Sequence, residues 1–564
     1  MSRFFYWMYW TIFDAWVLAV FTLLSACSQP TLSPTPIPTP TLSPDSIRGL
    51  VQNAEGARLP NAHVRVRTTE NQTTAVNGAF VLSGFENTEP VSVTAWTEGY
   101  YVGWVSAQPA GDPVTITLKP YYTTDNPSYN WFSHEGAEGS LSCSHCMPCY
   151  QEWQADAHSR SAINPRFLTM YNGTDVNGNQ SPLTRYAYSR DYGSFPLRPD
   201  PNLPYYGPGY KLDFPDTAGN CAACHMPAAA AKPGLAYAAN PNQVSGIEKE
   251  GVFCEFCHKV GAVKLDPVSQ LPYPNMPGVL SMRLFRPFDE DQLFFGNFDD
   301  VTRRVSYLPL YEQSAYCAPC HYSVFWDTLI YNSYGEWLNS PYSDPDSGKT
   351  CQDCHMPTVD YDYFVYPEKG GLARDHSRIF SHKMPGASDQ ELLQNAVTLT
   401  ANAWLEGQSL VVQANIINDR TGHHVPTDSP LRHMILLVRA TDSKNKPLVQ
   451  IDGPTVPEWG GVGDPQDGYY AGLPGKAFAK VLEELWTNIS PSGAYWNPTR
   501  ILSDNRLAAY ASDTSLYTFA APASGEINIR VELIFRRAFI ELADQKGWET
   551  TDILMAEEDI SLNP

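Results

Sequence analysis

The sequence is poor in charged side chains, and positive ones are the scarcer kind. Charged residues make up 17% of the 564 positions, and 38 Lys and Arg stand against 60 Asp and Glu, which gives a formal net charge of −22. This balance argues against nucleic acid or anionic lipid headgroups as partners and fits an exported, acidic surface, although it also serves solubility alone. Phosphate-binding glycine loops, nucleophile elbows and metalloprotease helices are missing too, so the enzyme classes built on them are not indicated.

Sustained periodicity is missing from residues 121–390, which hold eleven of the twelve cysteines and are rich in Pro, Tyr, Asn and Asp. A segment this long and irregular is suspect unless something other than an apolar core organises it. With 32 Tyr and 14 Trp in the chain, the composition favours aromatic-lined pockets over helical bundles. We therefore expect an interior lined by a cofactor.

The first 27 residues are predicted to be a targeting segment. An apolar run from Phe4 to Leu24 follows Arg3 and ends in Ser25-Ala26-Cys27. Small residues before a cysteine resemble a bacterial lipobox, which implies cleavage before Cys27, lipidation of its thiol and a position outside the cytoplasm on a membrane. The alternative is an uncleaved membrane anchor, which Asp14 within the run disfavours.

The rest of the chain divides by composition. Residues 28–45 form a Pro/Ser/Thr-rich linker that cannot build a core and is predicted to be an extended tether. Residues 46–120 and 391–564 show short alternating runs separated by turn residues, such as Asn77-Gly78, which predict a small antiparallel β-sandwich and a second, C-terminal β-sandwich. His63 and His433 fall within predicted strands and are interpreted as structural.

The pattern Cys-x-x-Cys-His occurs four times between the two predicted sandwiches. Two cysteines at this spacing each form a thioether with one haem vinyl group, and the adjacent histidine becomes the proximal iron ligand. Disulfides and zinc sites are the alternatives, but neither explains why histidine follows the second cysteine every time. We therefore expect four covalent haems c, attached at Cys221/Cys224, Cys254/Cys257, Cys317/Cys320 and Cys351/Cys354, with proximal ligands His225, His258, His321 and His355.

The motifs come as two close pairs, and two of them continue into Met226-Pro227 and Met356-Pro357, which indicates a repeated haem-binding unit. The segment 143–149, CSHCMPC, looks like the same motif with its histidine missing. Either a fifth haem is attached through Cys143 and Cys146, with Met147 or a distant histidine on its iron, or two of these cysteines form a disulfide. Cys149 is a further thiol with no assigned role.

Six-coordinate iron needs a second, distal ligand, and nine histidines remain after the four proximal ones. The predicted distal ligands are His158, His376, His382 and His423, with His134 and His424 as reserve candidates.

Together these motifs resemble the cytochrome c-552/4-like members of the multihaem cytochrome c superfamily. Glu152-Trp153 with His158, Gly251-Val252 before the second motif, and the segment 334–337 after the third carry the resemblance. Together with the strand patterns, we expect a multidomain fold: a β-sandwich module, an irregular, mostly α/coil multihaem domain (121–390) and a C-terminal β-sandwich. The resemblance implies that His423 reaches a haem from this last unit. Tyr342 is a departure, since it stands where His158 stands in the earlier segment. Residues 46–120 resemble the carboxypeptidase-regulatory-like module, which has no catalytic residues.

The resemblance implies three functions. The first is electron transfer along the haems, at the cell surface or in the periplasm, to redox partner proteins or an extracellular acceptor. The second is a haem oxidoreductase for a small inorganic nitrogen or sulfur compound, which requires one open coordination position. The third is a structural surface or filament cytochrome. No catalytic residue is assigned, and nucleic acid is not expected as a partner.

Overall fold

The computed structural model describes residues 45–131, 133–134, 137–235, 238–288, 292–549 and 551–563. The predicted targeting segment, Cys27 and nearly all of the linker lie outside the described residues, and so does the side chain of His134. Within the part that is described, no helix combines the length and the apolar character needed to span a membrane.

The N-terminal unit consists of two facing sheets of three and four strands, in the orders β4-β1-β7 and β3-β2-β5-β6. Their inward-facing side chains, such as Val51, Val64 and Ile116, form one buried cluster. The expected antiparallel pairing is wrong for β1 and β7, which are parallel. These are the first and last strands of the unit, and the five strands between them supply the long crossover that parallel pairing requires. The strands are β1 (Ile47–Asn53), β2 (His63–Val66), β3 (Gln72–Thr74), β4 (Ala79–Leu82), β5 (Val91–Trp96), β6 (Gly103–Ala107) and β7 (Val114–Leu118).

The middle region has short helices, as expected, but also small two-stranded sheets. Its strands are β8 (Ser133–His134), β9 (Ala137–Glu138), β10 (Tyr186–Ser189), β11 (Gly193–Pro196), β12 (Val260–Val263), β13 (Met282–Leu284), β14 (Phe294–Gly296), β15 (Val305–Tyr307), β16 (Ser323–Phe325) and β17 (Thr328–Tyr331). Its helices are α1 (Cys149–Ala155), α2 (Pro165–Asn172), α3 (Tyr210–Asp213), α4 (Ala222–His225), α5 (Pro227–Ala230), α6 (Cys254–Cys257), α7 (Ala318–His321), α8 (Ser333–Leu338), α9 (Cys351–His355) and α10 (Gln390–Gln394).

The C-terminal unit is a pair of larger sheets, ordered β18-β19-β24-β21 and β23-β22-β20-β25-β26. Apolar residues at alternate positions of β19, β20, β24 and β25 fill the space between them, which makes this the largest apolar core in the described residues. The elements are β18 (Thr398–Glu406), β19 (Ser409–Ile417), β20 (His433–Asp442), β21 (Gln450–Asp452), β22 (Gly475–Glu484), β23 (Thr499–Asp504), β24 (Ser512–Ala520), β25 (Ile527–Arg536), α11 (Ile540–Lys546) and β26 (Ile553–Leu562).

Both β-rich units are fastened to the middle region by buried polar contacts. From the N-terminal unit, the Arg65 guanidinium donates to the Asp299 carboxylate at 3.0 Å, and the Trp96 indole donates to the Ser306 hydroxyl at 2.9 Å. On the other side, the Arg506 guanidinium lies 2.8 Å from the Glu336 carboxylate. Because removing one partner of a buried ion pair leaves an uncompensated charge, these contacts fix how the units sit on the middle region.

The C-terminal core supplies the first prediction. The Leu436 side chain is fully buried between the two sheets, whereas Leu516 is 51% exposed on β24. Leu436→Ala should lower the free energy of unfolding of this unit by about 2–5 kcal/mol, because it removes buried methyl groups and leaves a cavity. Leu516→Ala, the matched control, should change it by no more than about 0.5 kcal/mol. Urea unfolding followed by tryptophan fluorescence measures both, and equal effects would contradict this assignment of the core.

Candidate haem-binding site

Each of the four Cys-x-x-Cys-His motifs forms a single helical turn, in α4, α6, α7 and α9. In three of them the backbone N–H of the histidine donates to the carbonyl of the first cysteine at 3.1 Å: His225 to Cys221, His258 to Cys254 and His321 to Cys317. The turn beginning at Cys351 is started by a capping box between Thr350 and Asp353. Since residues three and four apart share a helix face, both thiols and the imidazole of each motif project to one side.

The four motif histidines have the same hydrogen-bond arrangement. Nδ1 contacts a backbone carbonyl or carboxylate that can only accept, so Nδ1 carries the proton and Nε2 keeps the lone pair that binds a metal. The acceptors are the carbonyls of Ser161 (3.1 Å from His225), Phe295 (2.5 Å from His258) and Pro385 (2.7 Å from His355), and the carboxylate of Asp428 (2.9 Å from His321).

His321 differs from the others in its electrostatics. Burial lowers the pKa of His225 and of His258 to about 4, so both imidazoles are neutral at pH 7. Burial also lowers the pKa of His321, but the neighbouring Asp428 carboxylate outweighs it and raises the pKa to about 9. A carboxylate behind a ligating imidazole increases its basicity. Of the four motif histidines, His321 is therefore the one whose Nδ1 contacts a charged group.

All four motifs open into one continuous cavity of about 2000 Å³. All eight motif cysteines and all four motif histidines line it, together with many aromatic side chains. A pocket for one drug-sized ligand occupies only about 300–1000 Å³, so this space fits several large, flat, apolar groups. Thiol pairs and an Nε2 lone pair facing such a space are the donor set that covalent haem requires. The described residues contain no disulfide and no cluster of three or more His, Cys, Asp or Glu suited to a bare metal ion.

Two predicted distal histidines lie near motif histidines, and all four side chains line the cavity. The ring centroids of His158 and His321 are 6.3 Å apart, as are those of His355 and His423. Two imidazoles on opposite sides of one metal ion, with bonds of about 2 Å as in imidazole–zinc sites, have centroids roughly 6 Å apart. In His158 and His423, Nδ1 is again held, by Asp156 at 2.6 Å and by the carbonyl of His424 at 2.9 Å. Each pair can therefore ligate one haem iron.

The other predicted histidines are distributed unevenly. His382 lines the cavity, and after burial it is a further contributor to the lowered pKa of His258, which the hydrogen bond to the Phe295 carbonyl opposes. His424 also lines the cavity, beside Glu336. His376 does not, since its side chain is 59% exposed next to Asp362.

The two histidines interpreted as structural also lie away from the cavity lining. His433 is buried and stacks on Phe539. His63 is on β2, 3.9 Å from the Asp299 carboxylate.

The Cys221/Cys224 motif has a different environment. The His225 ring stacks on Phe167 at 3.9 Å, and no second histidine contributes to its pKa. Four tyrosines lie near these two thiols instead. Burial raises the pKa of each tyrosine, and the neighbouring thiols raise it further. The four are Tyr171, Tyr210, Tyr331 and Tyr495.

Thiols of different motifs lie beside each other, which places the motifs in an order. The neighbouring thiol is the largest cause of the raised pKa in three cases: Cys143 for Cys254, Cys351 for Cys317, and Cys224 for Cys320. Burial raises the pKa of Cys257, and the nearby Cys320 thiol raises it further. The Cys317/Cys320 motif therefore adjoins all three of the other motifs.

Several contributors were missed by sequence reasoning. The carbonyl acceptors of Ser161, Phe295 and Pro385 have no residue-type signal, because every residue carries a carbonyl. Asp428 was accessible in principle, since it follows the segment containing His423 and His424 by only a few residues.

A solved structure of a penta-heme cytochrome c552 from Thermochromatium tepidum matches with a TM-score of 0.50 and 17% sequence identity, covering 75% of this chain and 98% of that chain. This chain has the fold of a multihaem cytochrome. At that identity the likeness concerns the fold alone, which is multidomain and β-rich. The Fcho1 mu homology domain from Danio rerio with a bound Eps15 peptide also matches, at 9% identity over 28% of this chain and 44% of that one, but its TM-score of 0.12 carries no argument. No family model and no curated protein matches the sequence.

The histidine pairs supply the second prediction. His158→Met should raise the reduction potential of one haem, within the ~0.8 V range that axial ligands control, because thioether sulfur favours the reduced iron more than imidazole does. His376→Met is the matched control and should leave every potential unchanged, because His376 lies outside the cavity lining. A spectroelectrochemical titration measures both. Unchanged potentials in His158→Met would contradict the pairing with His321.

Proposed function

We propose that this protein is an extracytoplasmic c-type cytochrome that transfers electrons along covalently bound haems. The observation that carries the proposal is the contact between thiols of successive motifs around one cavity. Haem, when bound, supplies one-electron oxidation and reduction. The protein's own residues hold the groups close together and fix the imidazole tautomers.

The order of the motifs supports a branched arrangement rather than a linear one. Cys320 adjoins both Cys224 and Cys257, and Cys317 adjoins Cys351. The central Cys317/Cys320 site is also the one whose histidine is supported by the Asp428 carboxylate. We infer that electrons entering at any branch reach the others through this site.

The setting and partners follow from the N-terminal sequence and the surface charge. We infer a lipid anchor at Cys27, a tether over residues 28–45, and exchange with redox partner proteins or an extracellular acceptor. The net charge of −22 disfavours acidic partners and favours basic ones at the contact surface.

The central position of Cys317/Cys320 supplies the third prediction. After partial photoreduction of the purified protein, the haems should redistribute electrons among themselves as one connected set. The Cys317→Ser/Cys320→Ser double variant should redistribute them at least tenfold more slowly, because its remaining sites are separated. Cys351→Ser/Cys354→Ser removes a branch end and serves as control, leaving the other sites connected. Time-resolved absorption measures the rates. Equal rates in the two variants would contradict the branched order, and no redistribution in the native protein would contradict the carrier function.

A second function is favoured by the surroundings of His225. Among the described side chains, no histidine contributes to the pKa of His225, and tyrosines lie near the thiols of its motif. This is the arrangement expected of a haem oxidoreductase for a small nitrogen or sulfur compound, with one open coordination position. An electron paramagnetic resonance signal from high-spin iron that disappears in Cys221→Ser/Cys224→Ser, together with nitrite or cyanide binding at that iron, would support it. A low-spin iron at this site would contradict this second function.

A further inference from the structure

The structure repeats one set of contacts in two places. In the second half of the middle region, the Cys351 N–H donates to the Ser314 hydroxyl at 2.9 Å, and Ser314 stands three residues before Cys317. In the first half, the Cys254 N–H donates to the Ser140 hydroxyl at 3.4 Å, and Ser140 stands three residues before Cys143. By this contact Cys143 corresponds to Cys317.

The contacts of two Glu-Trp pairs, Glu336-Trp337 and Glu152-Trp153, repeat in the same way. The Trp337 indole donates to the carbonyl of Lys349 at 2.8 Å, and the Trp153 indole donates to that of Val252 at 2.9 Å. Lys349 and Val252 each stand two residues before the first cysteine of a haem motif.

The glutamates of these pairs repeat the pattern as well. The Glu336 carboxylate accepts the backbone N–H of His424 at 3.2 Å, and the Glu152 carboxylate accepts that of His382 at 2.7 Å. Each glutamate therefore holds in place the backbone of a histidine that lines the cavity.

The thiols follow the same correspondence. The Cys317 thiol lies beside that of Cys351, and the Cys143 thiol lies beside that of Cys254. The N–H of Cys146 donates to the Cys143 carbonyl at 2.9 Å, as the N–H of Cys320 does to the Cys317 carbonyl at 3.3 Å. Both pairs follow a 3₁₀ turn and line the cavity. The spacing within the two sets differs. In the second set the β16–β17 hairpin separates Cys320 from Trp337, and in the first set a long segment containing α2 to α5 separates Trp153 from Val252.

We propose that Cys143 and Cys146 carry a fifth covalent haem, in the place that corresponds to Cys317 and Cys320, and that the motif contributes no histidine to its iron. When Cys143 and Cys146 are aligned with Cys317 and Cys320, Met147 corresponds to His321. The proposal rests on haem binding by the other motifs and extends the branched arrangement beyond Cys254. Two thiols add across two vinyl groups to give two thioethers, with no oxidant or reductant consumed. Cys149 is outside the duplicated contacts and stays a thiol.

A competing attachment pair is Cys146 with Cys149. The N–H of Tyr150 reaches the Cys146 carbonyl at 3.4 Å, which is the turn that the proximal histidine makes in the other motifs. The repeated contacts of Ser140, Trp153 and Cys254 favour Cys143 instead, because they align it with the first cysteine of a complete motif.

The test is the haem count of the holoprotein by intact mass. The native protein should carry five haems, Cys143→Ser/Cys146→Ser four, and Cys149→Ser five. Mass mapping of the haem-bearing peptides of the native protein gives the same answer without a variant, should one fail to fold. Loss of a haem in Cys149→Ser but not in Cys143→Ser would overturn the assignment.

Two further variants separate this inference from the proposed function. Met147→His restores a complete Cys-x-x-Cys-His motif and should leave the count at five while changing the spectrum of one haem. A rise from four to five would show that the native site is empty and overturn the inference. Cys317→Ser/Cys320→Ser should lose one haem. If it does and Cys143→Ser/Cys146→Ser does not, only this inference fails, whereas a native protein without haem would end both.

Discussion

The middle region of the chain depends on what fills its central cavity. The helices that present the motif cysteines and histidines are only four or five residues long, and isolated helices shorter than about 12 residues are marginal in water. Seven of the fifteen buried residues in the apolar cluster beside the first two motifs are alanine, which buries little area per residue. Covalent attachment and axial ligation of haem would supply the cross-links that this region lacks in its own side chains.

The flanking β-rich units have a conventional core and serve as the frame for this region. The loop between β19 and β20 carries His423 and Asp428 into the cavity, so one predicted distal ligand and one carboxylate come from outside the middle region. The N-terminal unit is held to the middle region through Arg65 and Asp299. A rigid frame that contributes ligands couples the positions of the sites to the packing of the sandwich, which is the arrangement that precise placement of functional groups requires.

Much of the site could be predicted from the sequence because thioether attachment imposes a fixed spacing. Cys-x-x-Cys-His identifies both the attachment residues and the proximal ligand, and the structure brings all four motifs to one cavity. The pairing of His158 with His321 could not be predicted, because the two are separated by most of the middle region and distal ligands follow no spacing rule. His376 looked equivalent to His382 in the sequence, yet only His382 lines the cavity. The parallel pairing of β1 with β7 was missed because alternation does not encode strand direction. The domain boundaries at 45, 120 and 390 stay predictions.

The internal duplication was visible in the sequence only as fragments, such as Glu152-Trp153 and Glu336-Trp337. Its strongest evidence is the reuse of the same backbone acceptors, and neither Val252 nor Lys349 has a side chain that marks this role. Unequal spacing hides the repeat from a search at a fixed period, because the β16–β17 hairpin lengthens one copy and the segment containing α2 to α5 lengthens the other.

The measurement that tests the account most directly is hydrogen exchange by mass spectrometry on the protein produced with and without haem attachment. If haem takes the place of a core, residues 121–390 should exchange freely in the haem-free protein and be protected in the holoprotein, while strands β19, β20 and β25 stay protected in both. Equal protection of the middle region in the two forms would contradict the claim that this part of the chain folds around its cofactors.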